Sequence, residues 1–188
     1  MEVLAAQADV RRIYRGGYSG PLVSTIVWAV ANAVFYWVSP AAGMAALFIG
    51  GMFIFPLATL VLKLMGGSAA LPKGHPSAAL AMQSAFTVPL GLLVAIVLGT
   101  FEPLLFFPAS LIIVGAHYLV FISLYGMKLF GVLAGALITV GVITLFWLPN
   151  LGDISGWLGA AVFLVFSAVL FRAQGETRRI SASRTAVR

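Results

Sequence analysis

The chain has no cysteine and few charged residues: Asp and Glu number 5, Lys and Arg number 11, and together they make up 9% of the sequence. Without cysteine there is no disulfide, thiolate metal site, iron–sulfur cluster or cysteine nucleophile. About a quarter of the residues in soluble domains are charged, so this composition excludes an ordinary soluble domain. His75 and His117 are the only histidines. We therefore expect neither a metal site nor a haem cofactor.

Most of the remaining residues are apolar. They make up 62% of the 188 residues, and the mean hydropathy is +1.09. A membrane helix needs roughly 20 mostly apolar residues, and six runs of about that length follow one another. They are spans 1 to 6, at 21–38, 41–62, 79–99, 103–124, 129–148 and 154–171. The sequence predicts an all-α membrane protein, a compact bundle of six transmembrane helices.

The ends of the chain differ from the spans. In residues 2–14, EVLAAQADVRRIY, Val3, Val10 and Ile13 share one helical face, which is typical of a short amphipathic helix at a membrane surface. The glycine-rich stretch RGGYSG, residues 15–20, then forms a joint. We therefore divide the chain into residues 1–20, a six-span domain at 21–171, and a basic tail at 172–188.

The basic residues predict the orientation of the spans. With the amino terminus in the cytoplasm, all 11 lie in inside segments, and the outer loops hold only Glu102 and Asp153. The inside set is Arg11, Arg12, Arg15, Lys63, Lys73, Lys128, Arg172, Arg178, Arg179, Arg184 and Arg188. Both termini are predicted to be cytoplasmic. The net positive charge is therefore explained by the membrane topology, and no nucleic-acid partner is expected.

Span 1 has a second reading as a cleaved signal peptide, since arginines precede it and SPA at 39–41 resembles a cleavage site. Its length, together with Trp28 and Asn32 inside it, favours a retained span. Short outer loops predict three antiparallel hairpins, made by spans 1–2, 3–4 and 5–6. Ser39, Ser77 and Asp153 precede spans and are candidate helix caps.

Small residues on two spans predict close helix contacts. They are Ala42, Ala46 and Gly50 in span 2, and Gly131 and Gly135 in span 5. Helices in lipid associate through such faces because lipid offers no hydrophobic drive. The faces could serve packing inside the bundle, a homo-oligomer, or contact with another membrane protein.

The span interiors hold no Asp, Glu, Lys or Arg. Intramembrane carboxylates are typical of proton and sodium coupling, so an ion-coupled pump of familiar design is not expected. Glu102 and Asp153 begin spans 4 and 6, where a helix amino terminus favours negative charge. Glu102 is about 22 Å along the helix from His117, too far to pair with it.

His117 has candidate partners at its own depth. It lies roughly 10 Å from the inner end of span 4, and Gln83, Ser84 and Thr87 of the adjacent span 3 lie roughly 6–12 Å from theirs. Ser110 shares the helical face of His117, and Asn32 of span 1 is expected near the midplane. The predicted intramembrane polar site is therefore Asn32, Gln83, Ser84, Thr87, Ser110 and His117.

Such a cluster has two interpretations. Polar side chains can hold helices together, or they can line a solute site or a water-filled cavity. The leading functional hypothesis is membrane-embedded binding or passage of a small neutral or weakly polar solute. The alternative is a structural or assembly protein, and the third is an integral membrane enzyme, for which no catalytic residue is assigned.

Two resemblances bear on these hypotheses. GYSG at 17–20 resembles the G-x-S-G of rhomboid proteases, but Ser19 precedes the first span, so it is read as part of the joint. The whole pattern, from RGGYSG through six spans to the basic tail, resembles small six-span integral membrane proteins of bacteria with no assigned activity. That resemblance implies the bacterial cytoplasmic membrane as the location.

Overall fold

A computed structural model describes the backbone of residues 2–67 and 69–186, and the side chains of residues 2–67 and 69–175. Within these ranges all regular structure is helical. The helices are α1 (Val3–Ile13), α2 (Ser19–Trp37), α3 (Pro40–Leu64), α4 (Ser77–Phe101), α5 (Phe106–Tyr125), α6 (Leu129–Phe146) and α7 (Ser155–Ala186). Helices α2 to α7 contain segments long and apolar enough to cross a membrane and correspond to spans 1 to 6. The all-α, six-span prediction is confirmed.

Several helix boundaries follow from local capping. Ser39 Oγ accepts a hydrogen bond from the Ala42 N–H at 3.2 Å, as the candidate cap requires. Glu102 Oε1 accepts from the Leu104 N–H at 3.3 Å, at the start of the one-turn helix Pro103–Leu105. Ser77 is not the cap of α4. It is the first helical residue, and its N–H donates to His75 Nδ1 at 3.2 Å, since an imidazole nitrogen accepts as a hydroxyl does.

The last helix is longer than span 6. α7 continues beyond the apolar run through Ala186, so the backbone of the predicted tail begins as helix. The side chains of Arg178, Arg179 and Arg184, and the whole of Arg188, lie outside the described residues.

The three predicted hairpins pack as antiparallel pairs, and α5 also packs along α6 while α2 packs along α7. In the first hairpin the helices nearly touch, because a Cβ on Gly43 would collide with Phe35. Farther along, a Cβ on Gly50 would lie 2.8 Å from Val27 Cγ1. The small face predicted in span 2 is therefore used inside the bundle. In α6, Gly131 approaches Ile122, but Gly135 is exposed with nothing near it.

Helix α1 packs against the end of α5. Gln7 Nε2 donates to the Ser123 carbonyl at 2.8 Å, and Arg11 Nη1 donates to the Tyr125 carbonyl. The last carbonyls of a helix lack partners within the helix, and a cation there also complements the helix dipole. Gly126 follows in the left-handed conformation, with φ of 63°. The amphipathic helix thus caps a transmembrane helix with two polar side chains one turn apart.

Helices α3 and α4 contact each other and also border a cavity. We call the side on which α1 lies the α1 side, and the opposite one the far side. Toward the far side, a Cβ on Gly99 would contact Met44, and one on Gly51 would contact Leu92 at 3.7 Å. Gly51 and Leu92 also line the cavity, whose walls on α3 and α4 continue toward the α1 side.

Candidate functional site

A cavity of about 230 Å³ lies between the α2–α3 and α4–α5 pairs. Its wall on α3 runs from Leu47 to Leu62 and its wall on α4 from Ala81 to Leu92, so it extends from the middle of the bundle toward the α1 side. Most of the lining is apolar. At its deep end lies Trp28, which is 1% exposed and packs against Phe107 and Phe163. Large aromatic side chains thus close the cavity from the far side.

A few polar side chains interrupt this apolar wall. Tyr118 of α5 and Ser24 of α2 both line the cavity, from different helix pairs. Tyr14 lines the end nearest α1. Burial raises the pKa of the Tyr14 hydroxyl, so this group is neutral at physiological pH. An apolar pocket with a few converging polar groups is the usual form of a small-molecule site.

His117 lies at this cavity and has one of its predicted partners. Its Nδ1 is 2.8 Å from Ser84 Oγ, so the two groups share a hydrogen bond between α5 and α4. The ring also packs edge-on against Tyr118 and Phe121, with centroids 5.5 and 4.9 Å away. His117 lines the cavity as well. It therefore holds two helices together and presents part of its ring to the cavity.

Two other predicted members lie near His117 without joining it. Gln83 and Thr87 are exposed and are not among the residues that line the cavity. The Thr87 hydroxyl donates to the Ser84 carbonyl of its own helix at 2.7 Å. Successive helix positions are about 100° apart, so Gln83 cannot face α5 when Ser84 does. Gln83 and Thr87 lie at the predicted depth of His117, but a side chain must also point toward α5 to contact this ring.

The remaining two predicted members lie elsewhere. Ser110 is fully buried, and its hydroxyl donates to the Phe106 carbonyl of its own helix at 2.7 Å. Asn32 is also fully buried, but it joins α2 to the start of α7. Its Nδ2 donates to the Asp153 carbonyl at 2.6 Å, and its Oδ1 accepts from the Trp157 N–H at 3.0 Å. The structure does not bring Ser110 and Asn32 into contact with His117.

Sequence reasoning did not assign Tyr118 and Ser24 to the site, although both line the cavity. Tyr118 directly follows His117, but its aromatic ring suits a helix core equally well. Ser24 lies early in α2 and has no depth-matched neighbour until the pairing of α2 with α5 is known. Ser19 also lines the cavity, whereas His117 Nδ1 bonds Ser84, so the nucleophile–base contact of a serine protease is not formed through this nitrogen.

A family model matches residues 3–173, which include α1, the five helices that follow and most of the apolar part of α7. Its description is "Family of unknown function (DUF7010)". The chain belongs to DUF7010. No curated protein and no solved structure matches the chain. The match to DUF7010 includes every residue of the cavity and of the α1–α5 contact.

Proposed function

We propose that this DUF7010 member binds a small neutral or weakly polar solute inside the membrane, in the cavity between α2–α3 and α4–α5. The observation that carries the proposal is the cavity itself: about 230 Å³ of space with an apolar wall and the polar groups of Ser24, Tyr118 and His117. The apolar wall would bind most of the solute. The hydroxyl and imidazole groups would orient one or two polar atoms.

The volume limits the size of the solute. An engineered apolar cavity of about 150 Å³ holds benzene. Drug-sized ligands occupy pockets of roughly 300 Å³ or more. A cavity of about 230 Å³ lies between these values and supports a ligand somewhat larger than a single aromatic ring.

The lining supports binding of a neutral solute without ion coupling. The polar side-chain groups among the lining residues are hydroxyls, one imidazole and the indole N–H of Trp28, with no Asp, Glu, Lys or Arg. Trp28, Leu47 and Leu92 are each at most 2% exposed and close the deep end. Passage to the far side would need these side chains to move, so this conformation favours binding over passage.

We further propose that the protein lies in the cytoplasmic membrane of a bacterium with both termini in the cytoplasm. The argument is the distribution of its basic residues, since cytoplasmic loops carry the excess of Lys and Arg. In this orientation the α1 side is the cytoplasmic side. The division into the segment 1–20, the domain 21–171 and the tail 172–188 is part of the same proposal.

An assembly role is the second candidate, and Gly135 is the observation that favours it. This residue is exposed on α6 with open space around it, so a helix of a second copy could approach closely there. The span 2 face gives less support, since Gly43 and Gly50 already contact α2. An enzymatic role has weaker support. Ser84 Oγ and His117 Nδ1 are within hydrogen-bond distance, but Ser84 is buried and is not among the residues that line the cavity.

Thermal unfolding of the detergent-purified protein with benzyl alcohol as the probe tests the proposed site. A ligand at tenfold its Kd stabilises a protein by about 1.4 kcal/mol. We expect stabilisation of the wild type and of Ser84→Ala, and a weaker effect on His117→Ala. Ser84→Ala is the matched control because it removes the same interhelical bond and leaves the ring at the cavity.

A second pair of variants tests whether the probe needs the free volume of the cavity. Gly20 lines the cavity and has nothing within 4 Å of an added Cβ, so Gly20→Leu adds a side chain at the cavity wall without a collision at that atom and is designed to reduce the free volume. Gly135→Leu adds the same side chain at an equally open position outside the cavity. We expect Gly20→Leu to abolish stabilisation by benzyl alcohol and Gly135→Leu to keep it. Equal responses of all four variants would mean that the probe acts on the detergent, and the proposed site would be rejected.

A further inference from the structure

We infer that the solute of this cavity carries a neutral hydrogen-bond acceptor, such as a carbonyl oxygen, on an apolar body, and that the Trp28 indole N–H binds this acceptor. The inference rests on the proposed function, because it names the class of molecule that the same cavity binds and a residue that selects it. Three observations carry it. The indole N–H has no partner, its nitrogen is accessible although the side chain is buried, and it lies on the edge of the ring that is turned away from α7.

The indole N–H of Trp28 is a donor without an acceptor. Trp28 is 1% exposed, and no hydrogen bond within the described residues involves its indole nitrogen. Trp157 of α7 differs in this respect, because its Nε1 donates to the Ala29 carbonyl at 3.1 Å. An indole nitrogen can donate a hydrogen bond but cannot accept one. A buried donor without a partner is unfavourable, so an acceptor that reaches this group gains free energy.

The indole nitrogen can be reached from the cavity. Among the buried and half-buried side chains that the structure describes, His75 Nε2 is the one nitrogen or oxygen atom with neither a hydrogen-bond partner nor accessible surface. The Trp28 nitrogen also lacks a partner, so it retains accessible surface even though the residue as a whole is buried. Trp28 lines the cavity and is otherwise packed in the hydrophobic core. The accessible surface of its nitrogen therefore faces the cavity.

The orientation of the ring supports this placement. A Cβ on Gly159 of α7 would lie 3.2 Å from Cε3 and 3.4 Å from Cζ3 of Trp28. These two carbons lie on the long edge of the indole that is opposite the nitrogen. The N–H is therefore turned away from this contact with α7. The residues that line the cavity come from α2 to α5 and the stretch before α2, and none of the described residues of α7 is among them.

The lining chooses among acceptors. The hydroxyls of Ser24 and Tyr118 can both donate and accept, so they fit either kind of polar atom, whereas the indole fits an acceptor only. Ser24 lies one helical turn before Trp28, so one solute can reach both groups. An anion is also an acceptor, but the lining has no Lys or Arg to offset the cost of burying its charge. The acceptor that fits is therefore a neutral oxygen.

Two probes of matched shape test the inference by NMR. Acetophenone has a carbonyl oxygen where α-methylstyrene has a methylene group, so only acetophenone accepts a hydrogen bond. Each is added to the detergent-purified protein with isotopically labelled tryptophan, and the indole N–H signals are recorded. We expect acetophenone to move the Trp28 indole proton downfield relative to α-methylstyrene, because both probes bring the same aromatic ring and one brings the acceptor. The Trp157 signal is the internal control, since its N–H already has an acceptor.

Single substitutions assign the four indole signals. Each replacement of a tryptophan by phenylalanine removes one signal, and the positions are Trp28, Trp37, Trp147 and Trp157. The variants at the other three positions assign the Trp28 signal by elimination, so the NMR experiment holds even when Trp28→Phe does not fold.

The affinities of the two probes give a second readout. We expect Trp28→Phe to weaken the binding of acetophenone about fivefold more than that of α-methylstyrene, the loss that corresponds to one neutral hydrogen bond. Comparing the two probes in the same variant cancels the change in ring size. Trp157→Phe is the matched control, because it makes the same replacement at a residue that does not line the cavity. It should change the affinity for both probes by the same factor.

The outcomes separate this inference from the proposed function. Equal movement of the Trp28 signal by the two probes would overturn the hydrogen bond to Trp28. An equal loss of affinity for both probes in Trp28→Phe would overturn it as well. In either case, binding of benzyl alcohol and of both probes would still support the solute site. Failure of benzyl alcohol, acetophenone and α-methylstyrene to bind would reject the site itself, and this inference with it.

Discussion

Ser84 Oγ lies 2.8 Å from His117 Nδ1, and this hydrogen bond joins α4 to α5 beside the cavity. The two side chains therefore combine the two interpretations that the sequence leaves open. One edge of the imidazole holds helices together, and the ring is also part of the cavity wall. Stability and ligand binding must be measured separately to resolve the two contributions.

A double-mutant cycle measures the first contribution. Ser84→Ala and His117→Ala, alone and combined, should give a coupling of about 0.6 kcal/mol, the average for side-chain hydrogen bonds between membrane helices. His117→Ala should cost more than Ser84→Ala, because it also removes the contacts with Tyr118 and Phe121. Unfolding in mixed micelles is the measurement. The control cycle combines Thr87→Ala with His117→Ala, since the Thr87 hydroxyl bonds a carbonyl of its own helix. Equal coupling energies in the two cycles would contradict the prediction.

The glycine after α5 gives a second prediction. Gly126→Ala should destabilise the protein, because the left-handed conformation costs an L-residue about 1–2 kcal/mol and the new methyl would collide with Gln7. Gly66→Ala is the matched variant: Gly66 also has a positive φ, of 79°, but nothing lies within 4 Å of an added Cβ. The difference between the two measures the α1–α5 contact alone. Equal free energies of unfolding for the two variants would mean that α1 can move away from the new methyl group without loss of stability.

Asn32 should matter for stability on the far side of the bundle. Asn32→Ala leaves the Asp153 carbonyl and the Trp157 N–H without their partner, at a cost of about 1–3 kcal/mol. Ser110→Ala should cost much less, since Ser110 is equally buried but bonds only a carbonyl of its own helix. Chemical unfolding of both variants compares them. A smaller loss of unfolding free energy for Asn32→Ala than for Ser110→Ala would mean that the hydrogen bonds of Asn32 between α2 and α7 contribute little to stability.

The absence of cysteine makes the topology testable with single labels. Lys73 and Asn150 are both exposed, in the α3–α4 and α6–α7 connections. With cytoplasmic termini, Asn150→Cys should react with an impermeant maleimide in intact cells, and Lys73→Cys only after permeabilisation. The opposite pattern would reverse the orientation and place the α1 end of the cavity in the outer leaflet.

The spans could be predicted because each is fixed by its own composition. Pro40–Leu64 and Ser77–Phe101 extend the predicted runs by only one or two residues at each end. The hairpins followed from loop length. The role of α1 could not be predicted, since its contact with α5 joins Gln7 and Arg11 to carbonyls more than a hundred residues away. Neither residue carries a local indication of that partner.

The candidate site was only partly predictable for a related reason. Depth along a helix can be counted from sequence, and this count placed Gln83, Ser84 and Thr87 level with His117. Of these three, Ser84 makes the hydrogen bond. Rotation about the helix axis and the order of helices in the bundle cannot be counted. Gln83 therefore faces away, and Asn32 pairs with α7 rather than α5. Tyr118 and Ser24 could not be assigned to the site for the same reason, because the cavity that both residues line exists only after helix assembly.

The cavity extends toward the α1 side, where its lining residues Phe55 and Ala85 are exposed, so the two leaflets border different surfaces of this protein. Near Gly99 the surrounding lipid meets a closed helical surface, whereas near Phe55 it borders the interior of the bundle. A change in lipid chain length or head group confined to the α1-side leaflet can therefore affect the cavity. The same change in the opposite leaflet affects only the outer surface of the helices. Lipid asymmetry, rather than average lipid composition, is the property of the membrane to which this fold is exposed.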